Sequence, residues 1–228
     1  MHDSLPPGQR GIVDFPRFGL TRFAHRFPTE VAQIEIEVTG AVEHELRLAD
    51  VRQGLPRVEQ ISDFHCVTTW SHRFLSWGGV RFTDFYNRVI VPLAGPHPGA
   101  TLVALRGQDG AHTGMLLEDM LAPDVLLADT LGGDPLSIAH GAPLRLIAPA
   151  HYGYKSLKHL SRIEFCSREH DYRVSGYRFM DHPRARAAME ERGRGVPGWL
   201  LRHLYRPLIS ATAARFAHAM AEHEKGRA

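Results

Sequence analysis

Cysteine is scarce in this chain: 228 residues hold two, Cys66 and Cys166. That excludes a disulfide framework and iron–sulfur clusters, and no CxxCH is present to attach a haem. Metal-ligand spacings are missing too. The chain carries 15 histidines, yet it has no HExxH, no CxxC and no paired Cys/His knuckle, so a conventional zinc site is not expected. The glycines form neither a GxGxxG nor a P-loop, which removes the common nucleotide-binding classes. Neither sign of charge is in excess: 27 Lys and Arg against 25 Asp and Glu leave +2, giving no bulk electrostatic reason to bind nucleic acid or an anionic membrane. No apolar run approaches the length of a membrane span, and the opening MHDSLPPGQRG lacks the features of a secretory leader. The expectation is a cytoplasmic protein with no nucleic-acid partner and no direct membrane span.

What is present is the make-up of a globular protein with a core of its own, 43% hydrophobic and 23% charged. Pro6, Pro7, Pro16 and Pro28, with aromatics and arginines between them, predict an extended arm over residues 1–30 that lies on the body of the protein. VAQIEIEVTG (31–40), RVEQISDFHC (57–66) and TLVALRG (101–107) read as strands. DVLLADTLGGDPLS places Gly132-Gly133-Asp134 between apolar runs as a hairpin, and PLRLIAP and LSRIEF add two short strands. Short helices are expected over 80–90, 116–121 and 155–160. The class is therefore α+β, with a strand-dominated domain over 31–167. Residues 168–228 predict a C-terminal helical extension, including RARAAMEERG (184–193) and a helix kinked or bounded at Pro207, whose apolar face packs on the domain or on a partner.

Two segments carry candidate chemistry. In DFHCVTTWSHRF (63–74), Cys66 follows a predicted strand, and His65, His72, His140 or His151 are candidates to approach it as a base; the spacing selects none of them. Cys166 ends an alternating stretch and reads as a small apolar strand residue. In HGAPLRLIAPAHYGYKSLKHLSRIEF (140–165), His140, Arg145, Lys155, Ser156 and Lys158 surround a strand and a glycine-bearing loop. A guanidinium, an ammonium, a hydroxyl and loop amides are what a phosphate-bearing ligand requires, although the same composition also makes a solvated basic face.

Taken together, a lone cysteine after a strand, Trp77-Gly78-Gly79-Val80 with Phe82 and Asp84, then DVLLA, HGAPLRL and YGYKSLKHLSRIEF in that order resemble the molybdenum-cofactor domain of the sulfite oxidase family, over residues 34–165. The resemblance implies a mixed α+β fold around a buried molybdopterin. It implies that Cys66 is the thiolate ligand of molybdenum, that His140, Arg145, Lys155 and the Ser156-Leu157-Lys158 turn hold the pterin and its phosphate, and that His65 and Thr68 join the pocket. A metal already held by two dithiolene sulfurs takes one more soft donor, and neighbouring cations are expected to favour the thiolate. RFAHRFP in the arm resembles the family's R-N-H-x-P pterin contact, which gives Arg22 and His25 a cofactor-binding role.

The sequence departs from the family in its substrate region. Where sulfite oxidases carry Gly-Asn-Arg after the cysteine, this chain has Val67-Thr68-Thr69-Trp70, and the active-site tyrosine falls near Ala111 or His112. His112 is either the proton donor in its place or a solvent-facing loop histidine, and Arg73, with Trp70 and Arg106, is placed at the entrance. The chain is more similar to short bacterial members, without haem or immunoglobulin-like domains. The expected function is a molybdenum-cofactor oxidoreductase performing oxygen-atom transfer on a sulfite-like or sulfoxide-like small substrate, with a cytochrome or other separate electron carrier. A cysteine-dependent hydrolase or transferase, and a molybdopterin-binding module without turnover, are the rival readings.

Overall fold

The computed structural model describes residues 4–168 and 175–226. Two sheets and a few short helices make the α+β body. The first sheet contains β1 (Arg10–Gly11), β4 (Arg57–His65), β5 (Trp70–Arg81), β8 (Leu126–Leu131), β9 (Asp134–Pro135) and β10 (Arg145–Ile147). Its main path runs β1-β5-β8-β10, with β4 also on β5 and β9 on β8. The second sheet is ordered β3-β2-β11-β6-β7, from β2 (Glu35–Gly40), β3 (Leu46–Ala49), β6 (Leu102–Gly107), β7 (His112–Leu116) and β11 (Leu160–Cys166). β2 alternates buried Ile36 and Val38 with outward Glu35, Glu37 and Thr39, the period of a half-buried strand.

One apolar cluster joins Ile36, Val103, Ile163 and Phe165 of the second sheet to Val80, Leu127 and Leu146 of the first. Phe82, Phe85 and Ile90 of the intervening helical run complete it. Each such fully buried side chain contributes about 1.5–3 kcal/mol. The opposite face of the first sheet buries Trp77, Leu126 and Ile147 beneath Phe15 of the arm, so this sheet is covered on both sides.

The predicted strands at 57–66, 101–107, 143–149 and 160–165 are all present, and the Gly132-Gly133 hairpin joins β8 to β9. β5 was not expected as a strand. With two glycines and apolar residues on both faces it has no alternating signal, and it bends at a register shift between Gly78 and Gly79. A Cβ on Gly79 would stand 2.1 Å from the Leu127 carbonyl oxygen, so only glycine permits this approach. β3 and β7 are likewise additions.

The helix expected over 80–90 is a run from α1 (Phe82–Phe85) through a π-helical turn (Tyr86–Ile90) to α2 (Val91–Ala94). The widened turn precedes Pro92, which has no N–H to give to a regular ladder. The helix expected at 116–121 is α3 (Leu117–Met120). Residues 155–160 correct the expectation: they form tight turns, with Lys155 N–H bonded to Tyr152 O and Ser156 N–H to Gly153 O, before β11 begins. Residues 184–193 are not helical either. Tyr152 N–H donates to Ala185 O and Ala187 N–H to Ala150 O, so tertiary bonds hold this stretch to the 150–152 loop and override its alanine content.

After it come α4 (Gly198–Tyr205), a single 3₁₀ turn containing Pro207, and α5 (Ile209–Lys225). The tail packs on its own chain, burying Leu201, Tyr205, Phe216 and Ala219. No helix among the described residues is long and apolar enough to cross a membrane.

Candidate active site

Cys66 occupies the tight turn that joins β4 to β5. Its N–H donates to Trp70 O at 2.8 Å, and Thr69 N–H donates to Cys66 O at 3.1 Å. Thr69 has φ 87°, a region that costs a β-branched residue on the order of 1–3 kcal/mol. Distant segments hold the turn against that strain. Arg10 N–H donates to Thr69 O at 3.0 Å, Arg206 Nε to Thr69 Oγ1 at 3.3 Å, and Gln9 Nε2 to Cys66 O at 3.0 Å. Arg192, wholly buried, donates to Val67 O at 2.5 Å and to Pro7 O at 3.0 Å. Cys66 Sγ is 3.1 Å from Thr68 Oγ1. Burial pushes the free thiol up, against the opposing effects of Thr68, Arg192 and Lys158. The cations expected to favour the thiolate are thus outweighed in the free thiol, and a bound cation is what would displace the proton.

Arg145, Ser156, Leu157 and Lys158 line the same cavity as Cys66, with a volume of about 330 Å³. β10 delivers Arg145 with no solvent exposure, and its guanidinium donates to His140 O at 2.7 Å and Ser156 O at 3.0 Å. Burial lowers this guanidinium to about 9. Lys158, which donates to Ala139 O at 2.9 Å, is lowered to about 7 by burial and then by Arg145 and Arg17. Asp109 is a carboxylate on this wall; burial raises its pKa while Lys158 and Arg17 oppose. Cations buried at this cost would be stabilised by an anionic ligand.

Several hydrogen-bonding groups on the cavity lining have no partner among the described residues: Arg145 Nε, Thr113 Oγ1, Trp70 Nε1 and Tyr205 Oη. Among the described residues no group of three His, Cys, Asp or Glu side chains is placed to hold a metal, so a metal at Cys66 would take its other donors from a cofactor. A phosphate-bearing pterin with soft sulfur donors fits this combination of a single thiol, buried cations and orphaned donors.

The cavity therefore brings together Cys66, Thr68, His112, Arg145, Ser156, Leu157 and Lys158. His112 stands on β7, where a solvent loop was the alternative, and its Nδ1 is 3.1 Å from Gly110 O. A carbonyl only accepts, so Nδ1 carries the proton and Nε2 is the nitrogen open to exchange. Trp70 lines the cavity as well, whereas His65, His140, Lys155, Arg73, Arg106, Arg22 and His25 do not. His65 is buried with Nδ1 2.8 Å from Ser71 Oγ, which donates onward to Gln9 Oε1 at 3.0 Å. His140 stacks on Phe15 at 4.8 Å, and burial with nearby cations lowers it to about 4. Lys155 donates to Gly114 O at 2.6 Å and to Asp181 at 3.1 Å. Arg73 is 3.6 Å from Asp63 on β4. Arg22 is exposed over the Phe23 ring, and His25 pairs with Glu222 of α5 at 3.5 Å.

In the arm it is Arg17 that lines the cavity, donating to Ala24 O at 2.6 Å and Arg26 O at 2.8 Å. Arg17, Arg192 and Tyr205 escaped the sequence reading because nothing local marks a basic or aromatic residue as buried.

The model of the oxidoreductase molybdopterin binding domain matches residues 24–174. The chain is 34% identical over 183 residues to the uncharacterized oxidoreductase YuiH of Bacillus subtilis (strain 168), covering 78% of this chain and 88% of that protein. It is 30% identical over 187 residues to the protein-methionine-sulfoxide reductase catalytic subunit MsrP of Xanthomonas campestris pv. campestris, covering 71% of this chain and 57% of that one. A second MsrP, from Gluconobacter oxydans (strain 621H), is 33% identical over 154 residues, 59% of this chain and 47% of its own. The chain thus spans about half the length of these two reductase subunits. In fold it is similar to the sulfane dehydrogenase SoxCD from Paracoccus pantotrophus, with TM-score 0.51 and 19% identity over 59% of this chain and 38% of that one.

Proposed function

The chain belongs to the family of molybdopterin-binding oxidoreductases, and from that premise we propose that it transfers an oxygen atom between water and a small sulfoxide-like or sulfite-like substrate, exchanging electrons with a separate carrier. The observation that carries the proposal is the convergence of Cys66 with Arg145, Ser156 and Lys158 on one cavity. When bound, molybdenum in molybdopterin supplies the two-electron redox change.

The chain's own residues do the rest. Cys66 provides the thiolate ligand, oriented by the Gln9, Arg10 and Arg192 contacts to its turn. Arg145, Lys158 and the hydroxyls of Ser156 and Thr113 bind the phosphate and polar edge of the pterin. His112 exchanges a proton through Nε2 with the substrate side of the cavity. The reductive direction is favoured by the MsrP relatives and by Val67-Thr68-Thr69-Trp70, which places no arginine after the cysteine to pair a sulfite anion. A hydrolase would need a base on Cys66, and among the described residues no histidine nitrogen is hydrogen-bonded to its sulfur; His65 Nδ1 is engaged by Ser71.

The test is metal and pterin analysis of the purified protein, followed by assay with reduced viologen dye and methionine sulfoxide, and separately with sulfite and an electron acceptor. The expected result is stoichiometric molybdenum and turnover of the sulfoxide. Protein that holds molybdopterin and turns over neither substrate overturns the proposal.

A further inference from the structure

One wall of the cavity beside Cys66 is built by residues outside the family match of 24–174. The arm contributes Phe18 and Leu20, and the tail contributes Tyr205, Leu208, Thr212 and Phe216. The wall is continuous with the cysteine turn. Phe18 meets the buried Trp70 ring edge-on at 5.5 Å and stands parallel to Phe216 at 6.4 Å, so an aromatic surface runs from the turn to α5.

The charges on this side are already engaged. Arg17 donates to the carbonyls of Ala24 and Arg26 and is flanked by the rings of Phe27 and Phe216. Asp181 accepts from the Lys155 ammonium at 3.1 Å. Uncharged donors are left over: Trp70 Nε1 and Tyr205 Oη are buried without a partner among the described residues. The residue after Tyr205, Arg206, bonds Thr69 Oγ1, which fixes this end of α4 against the Cys66 turn. Burial raises the pKa of Tyr205, so its hydroxyl keeps its proton. Phe18, Leu20, Tyr205, Leu208, Thr212 and Phe216 carry no charge, so a neutral molecule with an apolar arm would bury that arm against them and offer its oxygen to a hydroxyl.

We propose that the arm and the helical tail together build a substrate pocket for an uncharged sulfoxide bearing an aromatic or other apolar substituent, with the Tyr205 hydroxyl donating a hydrogen bond to the sulfoxide oxygen. The inference rests on the oxygen-transfer reading of the site and assigns its substrate class. In the balanced reaction the S–O bond breaks, sulfur is reduced by two electrons from a reduced external carrier, two protons are taken up, and the products are the sulfide and water.

The experiment uses the holoenzyme with reduced viologen as electron donor, comparing methyl phenyl sulfoxide with dimethyl sulfoxide. It adds the equilibrium binding of unreactive methyl phenyl sulfone, followed by tryptophan fluorescence. Expected is a kcat/KM at least about 10-fold higher for the phenyl substrate. Phe216→Ala should raise KM for that substrate and weaken sulfone binding by about 10-fold, leaving kcat and molybdenum content in place. Leu208→Ala, at an exposed position on the rim, should shift both in the same direction by about 3-fold and serves if Phe216→Ala fails to fold. Tyr205→Phe, which removes only the hydroxyl, should lower kcat/KM about 10-fold for both sulfoxides at unchanged cofactor content.

Equal use of the two sulfoxides, or a Tyr205→Phe enzyme as active as the parent, overturns the inference while leaving oxygen transfer intact. Cofactor-loaded protein that reduces no sulfoxide overturns the functional reading beneath it.

Discussion

At the scale of single residues, burial beside the cavity holds a histidine neutral. His159 is 1% exposed, donates from Nδ1 to Ala142 O at 2.6 Å, and is held down to about 4 by burial with Lys158 and Arg145 nearby. In the unfolded chain it titrates near 6.5, so between 6.5 and 4 the unfolded state binds more protons. Its stabilising contribution is whole above that window and is lost as pH falls through it, by on the order of 2–3 kcal/mol. His159→Asn keeps a side chain tolerant of the left-handed backbone at φ 54° and removes the titration. Urea denaturation at pH 7 and pH 5 is expected to show a shallower acid loss in this variant; an unchanged loss would show that other groups carry it.

Gly153 supports the same site from beneath. A Cβ there would stand 2.1 Å from the Phe64 ring, which lines the cavity. Gly153→Ala should therefore lower stability by about 2 kcal/mol and reduce cofactor retention, read by chemical denaturation and metal content. Retention equal to the parent would mean that Phe64 moves without consequence.

At the scale of elements, the strands with alternating patterns and the glycine hairpin were legible because burial on one face writes a period of two into the sequence. β5 was not legible, since it is covered on both faces and bent at its glycines, and 184–193 was misread because the bonds to 150–152 that shape it come from far along the chain. The site divides in the same way. The sulfur and the basic turn are local motifs, while Arg17, Arg192 and Tyr205 acquire their places only when the arm and tail fold over them.

Arg192 shows the consequence for these elements. It joins the 66–69 turn to the arm through Val67 O and Pro7 O, and its guanidinium is 4.9 Å from the centre of the Tyr152 ring. Arg192→Met should leave both carbonyls without that donor and destabilise the protein by about 3 kcal/mol. If only global stability is affected, the cofactor-loaded variant will keep the parent's optical spectrum. Orientation of Cys66 through this arginine instead requires a shifted spectrum in the surviving holoprotein.

At the scale of the whole molecule, a family domain is closed by two segments of low local information. The arm adds β1 in parallel to β5, and α5 packs against the arm around Ala24, Phe216 and Ala219. Deleting the chain from Gly198 onward would uncover that cluster and remove one wall of the cavity. The truncated protein is expected to lose thermal stability and to retain little cofactor when purified beside the full chain; full retention would make the tail dispensable to the site.

The most direct measurement is X-ray absorption at the molybdenum edge, counting sulfur neighbours in the purified protein and in Cys66→Ser. One fewer sulfur ligand in the variant is the expected result. An identical sulfur count in the two proteins would contradict Cys66 as the anchor of the metal.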